Sequence, residues 1–192
     1  DDRQNATVVA TALHLPSALR TSDAAGSLRA GTVALIAALQ GGERTLVIAS
    51  DMRRAKAGST QEMQYGDGAA AMLVGEGTPV ARLLGAHTES VDFVHQYRMH
   101  DRNSDYGWEE RWIRDEGYLK LVPRAVGALL KRCGVEPGAV AHFCMPGTLS
   151  KVQAAVAKKC GLAETAVRDA LGATVGDTGA AHALLMLATA LE

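Results

Sequence analysis

The sequence predicts an α/β fold in which helices pack on mixed, mostly parallel sheets. Patterns typical of buried strands alternate with helical patterns along the 192 residues, and this order indicates a sheet with helices on its faces. Glycine and alanine are abundant, whereas aromatic residues make up only 4% of the chain. Small side chains let helices and strands approach closely, as a layered α/β fold requires.

The composition is that of a globular protein without a strong electrostatic field. Apolar residues make up 47% of the chain, charged residues 21%, and the formal net charge is −1, so neither disorder nor binding to nucleic acid or anionic lipid is indicated. No apolar run reaches the roughly 18 residues of a membrane-spanning helix. Cys133, Cys144 and Cys160 follow neither a disulfide nor a zinc spacing. We therefore expect a cytoplasmic protein with no metal site, no membrane contact and no nucleic-acid partner.

Apolar residues at intervals near three and four predict the helices. Pro16 ends the first helix, Pro123 begins or kinks a helix in the central region, and Gly161 stops another. The segment 165–171 is either a short helix or an extended stretch. The other predicted helical segments are 6–15, 33–39, 108–130, 150–160 and 180–191.

Runs of β-branched and apolar residues predict the strands. The run at 45–49 suits a strand that is buried on both faces, and the run at 69–74 suits a second buried strand. Two further candidates are 80–86 and 139–144. Residues 50–64 lie between the first two strands and form a long polar loop.

Three glycine-rich segments precede apolar elements. They are 26–32 (GSLRAGT) before a helix, 66–71 (GDGAAA) at a strand, and 176–181 (GDTGAA) before the last helix. In order, they resemble the cysteine-bearing helix start, the GDGA element and the late Gly-Asn-Thr turn of the thiolase superfamily. The segment 140–146 is similar to its strand with a proline-containing turn. The resemblance is strongest to the branch of HMG-CoA synthase and 3-oxoacyl-ACP synthase III.

The resemblance covers nearly the whole chain and implies one thiolase-like domain that is incomplete at both ends. It assigns about 1–78 to the end of an N-terminal half and about 79–192 to most of a C-terminal half. It implies an acyltransferase that makes or breaks carbon–carbon bonds on acyl-CoA or acyl-ACP thioesters, with a coenzyme A thioester as substrate and no covalently bound cofactor. The implied partners are a second copy of the chain and a small zinc-ribbon and OB-fold protein.

The sequence departs from the family at each position that carries the chemistry. The resemblance implies a nucleophilic cysteine where Leu28 stands, a histidine where Cys144 stands and an asparagine where Asp177 stands. Because leucine cannot attack a thioester, two interpretations stay open. Either the nucleophile lies in a loop ahead of Asp1, or the chain is a catalytically altered homologue that binds acyl-CoA or serves as a structural subunit.

The candidate catalytic residues are His182, Asp177 and Cys144. His182 opens the last helix above a glycine turn, where it could exchange protons with a substrate or simply pack at the helix end. Asp177 could lie near a thioester oxygen only if protonated or turned away, because an ionised carboxylate repels an oxyanion; otherwise it is a turn residue. Cys144 is either a nucleophile or a small buried hydrophobe.

The candidate substrate-binding residues lie in the first and third glycine segments. Backbone N–H groups at the start of the helix could shape an acyl pocket, and a serine nucleophile there would need a positioned base. A basic cluster in the polar loop could meet coenzyme A phosphates or could be solvated. The substrate-binding candidates are Ser27, Leu28, Arg29 and Gly179, and the basic cluster is Arg53, Arg54 and Lys56.

Overall fold

The computed structural model describes residues 3–99, 101–149 and 151–192. Ser150, the predicted first residue of a helix, lies outside the described residues. The α-helices in those ranges are α1 (Asn5–Ala12), α2 (Ala30–Gly41), α3 (Thr60–Gln64), α4 (Glu110–Trp112), α5 (Leu121–Cys133), α6 (Val152–Lys159) and α7 (His182–Leu191). The strands are β1 (Thr45–Met52), β2 (Asp67–Val74), β3 (Gln96–Tyr97) and β4 (Tyr106–Gly107).

The main sheet of the described chain is an antiparallel pair, whereas mostly parallel pairing was expected. β1 and β2 pair from Thr45 opposite Val74 to Met52 opposite Asp67. The connection between β1 and β2 contains only the short helix α3, so β2 runs beside β1 in the opposite direction. A parallel pair would need a longer crossover that carries the chain back to the start of β1. Within the described residues, parallel pairing occurs as isolated bridges, at Tyr65–Asp177 and Phe143–Val167.

The first hydrophobic core lies between this sheet and the helices α2 and α7. Val47 is 5% exposed and faces α2, whereas its neighbour Leu46 is 40% exposed on the opposite face. The prediction that residues 45–49 are buried on both faces is therefore wrong, because the described helices cover one face of the pair. The buried residues of this core are Leu35, Val47, Ala49, Ala181 and Leu184.

A second core joins α6 to the helical region that precedes it. It is built on Met145, Val152 and Val156, with Tyr118 and Phe143 packed against them. α4 continues directly into a π-helical stretch, Ile113–Tyr118, and α5 then begins two residues before Pro123, as the proline predicted.

Several predicted boundaries change in the structure. Residues 80–86 form no strand and leave Val80 82% exposed, because the described chain places no partner strand beside them. The predicted strand at 139–144 is reduced to the bridge at Phe143. The polar loop 50–64 is shorter than expected, since β1 extends into it and α3 occupies its end. Among the described helices, none combines the length and apolar character needed to cross a membrane.

Candidate functional site

The three glycine segments, distant in sequence, meet in the structure. A side chain on Gly31, at the start of α2, would collide with the carbonyl oxygen of Ala180 and would lie 2.8 Å from the Cβ of Ala49. A side chain on Gly68 would lie 2.7 Å from Cγ2 of Thr178. Glycine at these two positions lets the first and second segments pack directly on the third.

Main-chain hydrogen bonds fix the third segment to the second. The N–H of Asp177 donates to the carbonyl of Gln64 at 2.7 Å, and the N–H of Gly66 donates to the carbonyl of Asp177 at 3.1 Å. Gly176 has a φ of +71°, which glycine adopts without strain. The turn that carries Asp177 is therefore held in one position.

The Asp177 carboxylate is paired with Arg53, whose side chain is only 1% exposed. Nη1 of Arg53 lies 2.8 Å from Oδ2 of Asp177, and Nε lies 2.9 Å from Oδ2 of Asp105. Nη2 donates to Oε1 of Gln96 at 3.1 Å, and the guanidinium lies 3.8 Å from the centroid of the Tyr65 ring. Arg53 therefore belongs neither to a solvated loop nor to a phosphate site, in contrast to both interpretations of the basic cluster.

A second arginine extends this charged network. Arg98 contacts Oδ1 of Asp105 at 2.7 Å and Oδ1 of Asp51 at 3.1 Å, and the other Asp51 oxygen accepts the N–H of Ala180 at 3.1 Å. Burial by itself would raise the pKa of Asp105, but hydrogen bonds from Arg98 and Arg53 outweigh it and lower that pKa. The network thus keeps Asp105 ionised and joins β1 to the turn at Ala180.

His182 is 2% exposed and uses both ring nitrogens within the protein. Nδ1 accepts the backbone N–H of Thr178 at 3.2 Å and lies at the same distance from the Thr178 hydroxyl. Nε2 lies 2.8 Å from the carbonyl oxygen of Ala170. These partners assign a neutral ring with its proton on Nε2. Proton exchange with a substrate would require one of these hydrogen bonds to break.

Cys144 lies at the end of the bridged segment and contacts α7. Its Sγ is 3.7 Å from the carbonyl oxygen of Met186 and donates to it. Burial raises the pKa of Cys144, and the positive charge of Arg168 offsets this only in part. The group is therefore a thiol at neutral pH, which is the less reactive form.

The remaining candidate residues lie in the first and third glycine segments. Oγ of Ser27 accepts the N–H of Arg29 at 3.1 Å, and both residues are exposed, whereas Leu28 is half-buried. The N–H of Gly179 donates to Oδ1 of Asp177 at 2.9 Å. Gly179 thus orients the carboxylate, and Ser27 has no base among its described hydrogen-bond partners.

A cleft of about 260 Å³ opens beside the third segment. Asp177 and His182 line it together with Gln64, Gln153 and the loop 147–149. Gln153 donates to the carbonyl of Gly147. Neither glutamine was predicted from the sequence, because an isolated polar residue on a helix is usually solvated. Among the described residues, no group of three His, Cys, Asp or Glu is placed to hold a metal ion.

Tyr118 lies beside Gly147, which lines this cleft, and was expected only as a core residue. Its hydroxyl oxygen is 3.1 Å from the position that a Cβ on Gly147 would occupy. Burial, with a smaller contribution from the charge of Asp177, raises the pKa of Tyr118 to about 12. The hydroxyl therefore keeps its proton at neutral pH and can donate a hydrogen bond.

Comparison with known proteins shows likeness along the whole chain. No family model matches. Over 99% of its length the chain is 27% identical to the hydroxymethylglutaryl-CoA synthase of Aeropyrum pernix, and it spans 54% of that protein. The chain thus spans about half the length of the curated relative it matches.

Solved structures show the same fold. The 3-oxoacyl-(acyl carrier protein) synthase III, FabH, of Pseudomonas aeruginosa superposes with a TM-score of 0.80 at 22% identity, over 99% of this chain and 63% of that one. MvaS in complex with 3-hydroxy-3-methylglutaryl coenzyme A superposes with a TM-score of 0.75 at 19% identity, over 97% of this chain and 56% of that one. The chain therefore has the layered α/β fold of the thiolase superfamily, and its similarities lie in the branch that contains HMG-CoA synthase and 3-oxoacyl-ACP synthase III.

Proposed function

We propose that this chain is part of a thiolase-like acyltransferase that forms or breaks carbon–carbon bonds on acyl-CoA or acyl-ACP thioesters. The meeting of the three glycine segments beside one cleft carries the proposal. This arrangement brings the start of α2, where backbone N–H groups favour a partial negative charge, next to the turn that bears Asp177 and His182.

A coenzyme A thioester is the proposed substrate, without a covalently bound cofactor. Two similar structures contain coenzyme A or its thioester: MvaS with 3-hydroxy-3-methylglutaryl coenzyme A, and an HMG-CoA synthase complexed with CoA, whose match covers all of this chain. A cleft of about 260 Å³ is large enough for the thioester end of the ligand.

The roles that we assign within the cleft follow from protonation and contacts. The Tyr118 hydroxyl, which stays protonated, donates to the thioester carbonyl. His182 and Asp177 shape the wall beside it, and Ser27, Leu28, Arg29 and Gly179 contribute backbone at the two turns. Leu28 cannot be the nucleophile and Cys144 is a poor one at neutral pH, so the acyl-accepting group is supplied elsewhere in the enzyme.

A second candidate function is a catalytically altered subunit that binds acyl thioesters or has a structural role. Its support is specific: leucine stands at the helix start, both nitrogens of His182 are engaged at 3.2 and 2.8 Å, and burial raises the pKa of Cys144. Such a subunit would hold the ligand without forming a covalent adduct.

We also propose a cytoplasmic homodimer that associates with a zinc-ribbon and OB-fold protein. The outer face of the β1–β2 pair supports an assembly, because apolar residues cover it and it faces solvent in the described chain. Light scattering of the purified protein, alone and with the partner, tests this. The exposed apolar residues of that face are Leu46, Ile48, Met52 and Leu73.

The function is tested by incubating the full gene product with acetyl-CoA, then measuring intact mass and, separately, binding. An added acetyl group that hydroxylamine removes supports the acyltransferase. Binding without an adduct supports the altered subunit. Neither binding nor an adduct with a panel of acyl-CoAs contradicts both.

A matched pair of variants locates the binding site. Thr148 lines the cleft, so Thr148→Trp should fill it and abolish acyl-CoA binding. Thr88 is exposed and outside the cleft, so Thr88→Trp should bind like the wild type.

A further inference from the structure

We propose that Arg53 is a positioning residue for the thioester cleft: it neutralises the Asp177 carboxylate and fixes its orientation, so that a thioester carbonyl can lie beside an acidic side chain. The inference rests on the proposed function, since it explains how an acyl thioester is accepted next to Asp177. The sequence alone did not explain how a thioester could lie next to Asp177, because an ionised Asp177 carboxylate repels the negatively polarised thioester oxygen.

The charge balance around Asp177 favours this role. Asp177 is 16% exposed at the cleft wall, whereas Arg53 is 1% exposed behind it and lies 2.8 Å from Oδ2. Asp105 also contacts Arg53, but it has a second guanidinium, that of Arg98, at 2.7 Å. Arg53 can therefore offset the charge of Asp177 without leaving Asp105 unpaired.

Further contacts hold both members of the Arg53–Asp177 pair in place. The Arg53 guanidinium lies over the Tyr65 ring and donates to Gln96. Tyr65 is bridged to Asp177 through the main chain, so the residue that carries the ring is tied to the residue that carries the carboxylate. The second oxygen of Asp177 accepts the N–H of Gly179 at 2.9 Å. Both carboxylate oxygens are thus held by the protein.

Other titratable groups near Asp177 are neutral or already paired. Burial lowers the pKa of His95 and raises the pKa of Tyr65, while the pKa of Tyr118 rises to about 12. His182 shares the cleft wall and is hydrogen-bonded at both nitrogens. Asp105 is held ionised by its two arginines. Among the described groups, Arg53 is the cation in direct contact with Asp177.

The experiment measures acetyl-CoA binding by the full protein in four forms: wild type, Arg53→Met, Asp177→Asn and the double variant. Without Arg53 the Asp177 carboxylate has no cationic partner at the cleft wall, so its repulsion should weaken binding by about tenfold at pH near 8. The double variant should bind within about threefold of the wild type, since it has no carboxylate to neutralise.

The outcomes separate a positioning role from a purely structural one. If the double variant is as weak as Arg53→Met, or if Arg53→Met binds like the wild type, the inference is wrong. Absence of binding by the wild type contradicts the proposed function, and the inference with it. Circular dichroism checks that each variant folds.

If Arg53→Met does not fold, Arg53→Lys and Arg53→Gln decide, because lysine keeps the positive charge and glutamine does not. Arg53→Lys should bind acetyl-CoA within about threefold of the wild type, whereas Arg53→Gln should bind about tenfold more weakly. Equal binding by these two variants contradicts the inference.

Discussion

Gly31 packs its α-carbon directly against the carbonyl group of Ala180, so that even a methyl group at Gly31 would collide with the Ala180 oxygen. This contact joins two segments about 150 residues apart in the sequence and seats α2 on the turn that begins α7. The absence of a side chain at Gly31 is thus what allows the start of α2 to reach the turn that begins α7.

Gly31→Ala should destabilise the protein by about 1–3 kcal/mol, because the methyl group overpacks the contact with Ala180 and Ala49. Urea unfolding measures the change. Gly127→Ala is the matched control, since Gly127 lies within α5 with open space around it. That substitution should stabilise by roughly 0.5–1 kcal/mol. If both substitutions changed the free energy of unfolding equally, the close contact between Gly31 and Ala180 would be contradicted.

Leu28→Cys should create a reactive thiolate, because the residue precedes α2 by two positions and the N-terminus of a helix favours negative charge. The pH dependence of alkylation by iodoacetamide, followed by peptide mapping, gives the pKa of the new thiol. Ala37→Cys places an exposed thiol on the same helix beyond its first turn and serves as the control. We expect the pKa of Cys at position 28 to be lower by about 0.5 unit or more. An equal pKa at both positions would exclude a helix-start effect.

Cys144 should be alkylated slowly in the folded protein at neutral pH and rapidly after unfolding in urea. Burial raises its pKa above the usual 9.0, so the folded state binds the thiol proton more tightly than the unfolded state does. The corresponding stability is present below pH 9 and is lost as the pH rises through the higher folded value. Mass spectrometry of alkylated peptides against time measures the rates. Rapid labelling of Cys144 at pH 7 would contradict the buried thiol.

Asp105→Asn should destabilise the protein by about 3 kcal/mol at neutral pH, because two arginines lose a buried anionic partner. The pKa of Asp105 is lowered from 3.8 in the folded state, so its stabilisation is present above that value and is lost as the pH falls through the folded pKa. The variant should therefore show a shallower loss of stability in acid. Asp115 forms an exposed ion pair with Arg114, so Asp115→Asn is the control and should change the free energy of unfolding little. Urea unfolding at several pH values tests both.

Local pattern was sufficient for much of the fold. Helical spacing placed α1, α2, α6 and α7 within a few residues, and apolar runs placed β1 and β2. The thiolase-like resemblance, drawn from three glycine segments in order, is confirmed by the fold. The predicted strand at 80–86 is wrong, because an apolar run becomes a strand only when a partner lies beside it.

The candidate site was predicted less completely. Asp177 and His182 were identified from the turn that carries them, and both line the cleft. Tyr118, Gln64 and Gln153 carried no signal, because each is an isolated residue in a segment whose pattern concerns packing alone.

The sequence by itself determined the class of fold, the order of its glycine turns and the presence of leucine at position 28, where the thiolase-like resemblance implies a cysteine, because these depend on residues close together in the chain. Only the tertiary structure decided that β1 and β2 are antiparallel, that Arg53 is buried and that it pairs with Asp177 across 124 residues. An arginine carries the same charge in a solvated loop and in a buried contact with a carboxylate. Which of these two environments Arg53 occupies depends on the distant segments that pack around it.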